Sequence, residues 1–103
     1  MCKGIHWLLF SDNLENSIKY FNQVIRLNPD HDMALYGLGM AFIFLEDYEK
    51  AILSFNRALK VNPGLARAWS NKGGALQELG RFDEADFCFK KAKECNPEII
   101  LYR

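Results

Sequence analysis

The sequence predicts an all-α protein, a stack of about three helix pairs, and three observations carry that prediction. All three prolines, Pro29, Pro63 and Pro97, follow an asparagine and stand 34 residues apart. Sliding the chain by that interval superposes apolar residues in slots three or four apart, the spacing of one helix face. Turn residues recur at the same interval ahead of the second helix of each unit. A fixed period in this range is the signature of stacked repeats.

The chain reads as a single domain, residues 1–103, in three units and a tail. The first unit, residues 1–31, is incomplete. Its opening Lys3-Gly4-Ile5-His6-Trp7 fits the slots of Leu38-Gly39-Met40-Ala41-Phe42 if the loop Ser11 to Asn13 is one residue longer. Asp12-Asn13 then supplies a turn, and Leu14, Ser17, Phe21, Val24 and Leu27 form the inward stripe of a second helix. The second unit, residues 32–65, turns at Glu46-Asp47 and repeats the stripe as Tyr48, Ala51, Phe55, Ala58 and Val61. The third, residues 66–99, turns at Gly80-Arg81 and continues with Phe82, Ala85, Phe89, Ala92 and Cys95; residues 100–103 are a tail. Each proline ends its unit because it lacks an N–H and disfavours helix in the residue before it. Mid-helix glycine costs about 1 kcal/mol against alanine, so Gly4, Gly39 and Gly73 imply a close approach between helices.

Composition narrows the function. Thirteen basic and thirteen acidic residues balance, so no electrostatic pull toward nucleic acid or an anionic membrane is expected. Cys2, Cys88 and Cys95 are odd in number and form no CxxC pair; neither a disulfide framework nor a zinc site is expected. The run Met40 to Leu45 is too short to span a bilayer, and Met1 to Phe10 lacks the pattern of a signal peptide. A reduced, cytoplasmic setting is the expectation.

Reaction chemistry is sparse. His6 takes the slot of Ala41 and Ala75 and reads as a packing residue. His31 lies between Asp30 and Asp32, but neighbours in a turn do not close a metal shell; Asp30 or Asp32 as a helix N-cap is the expected role. Cys95 takes the slot of Leu27 and Val61 and reads as a small buried hydrophobe, with Cys88 sharing part of its face. Neither has a histidine or lysine placed to activate it, and Lys90 and Lys91 fit a solvated face. Gly73-Gly74 follows no strand, so it is not a phosphate loop. No catalytic residue, metal or cofactor is expected.

The middle unit reads Leu35, Leu38-Gly39, Phe42, Tyr48, Ala51, Phe55, Ala58, Pro63, and the third reads Trp69, Gly73, Leu76, Phe82, Ala85, Phe89, Ala92, Pro97. This pattern resembles the tetratricopeptide repeat family, over nearly the whole chain. The resemblance implies a right-handed α-solenoid of antiparallel helix pairs whose first helices line a concave groove. By slot, that groove takes Ile5, Leu8 and Leu9, then Met33, Tyr36, Met40, Ile43 and Phe44, then Arg67, Ser70, Asn71, Gly74, Gln77 and Glu78. It is thus apolar over two units and polar over the last. Family members that grip a C-terminal carboxylate use Lys, Asn and Arg where this chain has Tyr36, Met40, Ser70 and Gly74. Asn71 and Arg67 alone do not rebuild that clamp. The expected partner is therefore a protein or peptide with an apolar or amphipathic helical face, with Tyr36, Met40, Ile43 and Phe44 as anchors. The alternative is a homo-oligomer joined through the groove or through sticky ends. Ile5, Trp7, Leu8, Leu9 and Phe10 lie at one end, and Ile99, Ile100 and Leu101 at the other. Asp86 and Lys93 replace the Ile18/Ile52 and Ile25/Leu59 pairs, as though the third unit closes the stack.

Overall fold

Five helices follow in order: α1 (Cys2–Leu27), α2 (Asp32–Phe44), α3 (Tyr48–Val61), α4 (Ala66–Glu78) and α5 (Phe82–Cys95). The computed structural model describes the backbone of residues 2–96 and the side chains of residues 14–96, with no strand among them. The expectations for Ile99, Ile100, Leu101 and the tail lie outside the described residues. So do those for the side chains of Gly4, Ile5, His6, Trp7, Leu8, Leu9 and Phe10.

The turn expected at Asp12-Asn13 does not form. Helix α1 runs through it, so the described residues form one long helix and two helix pairs rather than three pairs. The turns that do form show what is at stake. After α2 and after α4, one residue enters the left-handed region, Glu46 at φ 61° and Gly80 at φ 78°. The next N–H then reaches back to a carbonyl of the last turn, Asp47 to Phe42 and Arg81 to Leu76, both at 2.9 Å. Such a turn sacrifices helical hydrogen bonds, and the packing of the helix before it must repay the loss. Helix α2 repays with Ala34, Leu35, Leu38, Gly39 and Ala41. A helix that simply continues keeps its ladder whole. Because Glu46 carries a Cβ where Gly80 has none, Glu46→Gly is expected to raise stability by about 0.5–1 kcal/mol, read as a shift in the urea midpoint.

Two rings explain the repeating glycines. A Cβ on Gly39 would meet the Phe55 ring at 2.6 Å, and one on Gly73 the Phe89 ring at 2.7 Å. Each ring thus lies flat on the first helix of its own pair. Phe21, in the equivalent slot of α1, has no such partner and leans instead on α2, where a Cβ on Gly37 would meet it at 2.5 Å. Three contiguous clusters form the core. Ile25 joins Ala34, Leu35 and Leu38; Ala51, Phe55 and Leu59 join Ala68; Ile52 joins Ala75, Leu76, Ala85, Cys88 and Phe89. The isoleucines therefore bridge each second helix to the next unit. Asp86 and Lys93, in the same slots of α5, are exposed.

The Asn-Pro joint is more than a stop signal. The Asn62 amide donates to Asp32 Oδ2 at 2.9 Å, and Asn62 Oδ1 accepts from the Gly64 N–H at 3.2 Å. One side chain thereby ties the end of α3 to the start of α2 and shapes the turn between them. The Pro63 carbonyl accepts from the Trp69 indole N–H of α4 at 2.9 Å. The Asn62 amide is also the main reason that the Asp32 carboxyl sits below its ordinary range. A carboxylate depressed in the folded state stabilises above its unfolded value, and that contribution disappears as the pH falls through the folded value.

Three expectations need correction. The cap of α2 is His31 itself, whose Nδ1 accepts from the Ala34 N–H at 3.1 Å, and not Asp30 or Asp32. Helix α2 starts at Asp32, so His31 occupies the extended position from which a side chain can reach the third helical N–H. Cys95 is exposed, against the reading from slots, whereas Cys88, expected to share part of its face, is buried. Leu27 and Val61 are likewise exposed. All three are the last residues of their helices, so the inward stripe stops one slot early.

Candidate functional site

One stripe of α2 carries Met33, Tyr36, Met40 and Phe44, three to four residues apart and hence on one side. The corresponding face of α4 carries Arg67, Ser70, Asn71, Gly74 and Gln77. The two faces meet directly: the Asn71 amide donates to the Tyr36 hydroxyl at 2.9 Å. The Tyr36 ring in turn rests on Phe55 with centroids 5.8 Å apart. Tyr36 is therefore held by its ring and by its hydroxyl, and Asn71 spends its amide within the protein.

The expected anchors differ in how much surface they offer. Met33 is 51% exposed and Phe44 56% exposed, one at each end of α2. Tyr36 and Met40 are half-buried between them, packed on the Phe55 cluster. Ile43 is half-buried too, but packs against both the Phe55 and the Ile52 clusters, between α2 and the following pair. On α4, Arg67 is exposed, Ser70, Asn71, Gly74 and Gln77 are half-buried, and a Cβ on Gly74 would meet nothing within 4 Å. The side chains of Ile5, Leu8 and Leu9 lie outside the described residues. The stripe thus runs from apolar ends through a pinned tyrosine to a polar neighbour with open space above Gly74.

Beside Met33 the surface opens into a notch of about 180 Å³ lined by Tyr20, Phe21, Val24, His31 and Ala34. It lies where Phe21 lacks a helix of its own to cover. Other hollows occur on the outer side of the stack, along α3 and α5. Slot reasoning missed Leu53 and Phe87, which are 63% and 55% exposed there. Their signal was present: two large apolar residues 34 apart and off the inward stripe. Among the described residues, no group of His, Cys, Asp and Glu is placed to hold a metal ion. Burial raises the Cys88 thiol above its ordinary value, and Lys72 offsets this only in part.

The pattern of the tetratricopeptide repeat matches residues 33–65 and again 66–99, and a second form of it matches residues 8–31. The chain belongs to the tetratricopeptide repeat family. Its architecture is a helical repeat solenoid, and repeats of this kind are protein-interaction modules, generally without catalytic chemistry. Among solved structures, a crystal structure of MamA superimposes with a TM-score of 0.81 at 30% identity, over 87% of this chain and 53% of that one. A second MamA structure gives 0.79 at 29%, over 92% and 55%, and a third, designated AMB-1, gives 0.78 at 26%, over 85% and 52%. This tetratricopeptide chain therefore spans about half the length of those structures. No curated protein matches it. Among its described residues, no helix is long and apolar enough to cross a membrane.

Proposed function

We propose that this tetratricopeptide module captures a partner protein by an apolar or amphipathic helical segment, laid across the α2 and α4 faces. The observation that carries the reading is the pair Met33 and Phe44, each half-exposed at either end of one stripe. Covering both removes apolar surface from water, and methionine adapts to varied shapes. Tyr36 and Met40 form a firm floor between them, because Tyr36 is already fixed by Asn71 and Phe55. Arg67, Ser70 and Gln77 supply the polar rim, and Gly74 the room for a helix to approach. Groove and partner fit the helix-in-groove mode, in which residues at i, i+3 and i+7 of the ligand carry the affinity.

Replacing Met33 and Phe44 together by glutamate is expected to weaken partner capture by at least about tenfold, with the helical circular dichroism unchanged. Both side chains face solvent, so the fold tolerates the change. Capture of the same partner at full strength would overturn the reading. The second reading, a unit that joins copies of itself, is favoured by the apolar notch at Tyr20, Phe21, Val24 and Met33. Light scattering of the chain alone separates the two: a mass that rises with concentration supports assembly, and a constant monomer mass supports partner capture.

A further inference from the structure

We infer that the outer face of α3 is a second docking groove, whose occupant is an acidic amphipathic helix of another protein. The groove is a cavity of about 480 Å³ floored by Leu38 and Phe42 of α2 and walled along α3 by Lys50, Leu53, Arg57 and Lys60. It runs on into a second hollow of about 550 Å³ that shares Arg57 and Lys60 and ends at Pro29, Asp30 and Val61. Lys50 and Lys60 are ten residues apart on α3, or about 15 Å at the helical rise. That length suits two to three turns of a helix laid alongside.

Charge chooses the occupant. Lys50, Arg57 and Lys60 recur at spacings of seven and three, so they crowd one side of α3 and repel each other. Lys50 has only a surface contact with Asp47 at 3.6 Å and lies 5.8 Å over the Phe42 ring. Among the described residues, no carboxylate pairs with Arg57 or Lys60 within 4 Å. Between these cations lie Leu53, 63% exposed, and an apolar floor. The next unit shows that this is not a by-product of the repeat. The same slots on α5 hold Glu84, Phe87, Lys91 and Glu94. There Glu84 is paired with Arg81 at 2.7 Å and Lys91 with Glu94 at 3.9 Å. On that face the cation and both carboxylates have partners; on α3, among the described residues, Lys50 has Asp47 but Arg57 and Lys60 have no carboxylate and are left for a partner. An apolar seam flanked by carboxylates satisfies the floor and the rim together.

The test is fluorescence anisotropy of the intact chain with a labelled synthetic helix carrying a leucine seam flanked by glutamates. The same peptide with lysine for every glutamate, and a single-stranded RNA oligomer of equal negative charge, serve as controls. The glutamate peptide is expected to bind and the lysine peptide and RNA to bind at least about tenfold more weakly. Arg57→Glu with Lys60→Glu, or Leu53→Asp alone, is expected to lower glutamate-peptide affinity by about tenfold or more, and added salt to weaken it further. All three positions are exposed, and circular dichroism verifies the fold. The Met33→Glu/Phe44→Glu protein keeps full affinity for this peptide, which separates the outer groove from the inner face. No binding of the glutamate peptide, equal binding of either control, or indifference to the α3 substitutions overturns the inference.

Discussion

Truncating Phe55 to alanine is expected to cost about 3–5 kcal/mol of stability, enough to leave the chain near the edge of folding. Phe55 has no exposed surface, packs closely against Gly39 and has the Tyr36 ring 5.8 Å away. Its cluster includes Leu59 and Ala68, so the ring fills the space shared by α2, α3 and α4. The hole left behind would be walled by three helices and could not collapse without separating two units. Domains of this size are stable by about 5–15 kcal/mol in total. Urea unfolding followed by circular dichroism should show a large fall in midpoint, or no folded baseline. Phe89→Ala, at the equivalent place in α5, should cost less. Among the described residues α5 packs chiefly on α4, so it has more freedom to close the gap. Equal stability of Phe55→Ala and the parent would refute this account of the core.

The second large effect is a reversal of sign between two identical substitutions. Gly39→Ala is expected to destabilise by about 1–2 kcal/mol, because a Cβ 2.6 Å from a fully buried ring forces either the ring or the helix to move. The helix propensity gained, about 1 kcal/mol, only partly offsets that strain. Gly74→Ala gains the same propensity and meets nothing, so it is expected to stabilise by about 0.5–1 kcal/mol. Thermal unfolding of the two proteins side by side would decide the matter. If both moved in the same direction, the packing of Phe55 on α2 would be wrong.

Most of the stack was legible because periodicity reports on burial. Ala51, Phe55, Ala58, Ala85, Phe89 and Ala92 are all buried as their slots require, and Gly39 and Gly73 mark close approach as inferred. What failed depended on balances that slots do not record. Whether α1 breaks at Asp12-Asn13 is a contest between turn cost and packing gain, and a residue pattern gives neither magnitude. Slots also treat a helix as endless, whereas Leu27, Val61 and Cys95, each the last residue of its helix, are exposed. His31 was read through its carboxylate neighbours, although its own ring nitrogen was an acceptor in the right place. On the inner face, Tyr36 can be placed on a stripe by spacing, but only the structure shows its hydroxyl engaged by Asn71. Leu53 and the cations around it lie off the inward stripe, on a face that the family resemblance does not single out.

The order of packing along the chain also governs how it folds. Among the described residues, each helix packs on the next one in sequence, and the further pair that meets is α2 with α4. Folding then closes nothing longer than about one unit at a time, and the entropy lost on closing so short a loop is small. Such topologies fold quickly for their length. A chain emerging from the ribosome could complete the α2–α3 pair, Asn62 clasp included, before α5 had been made.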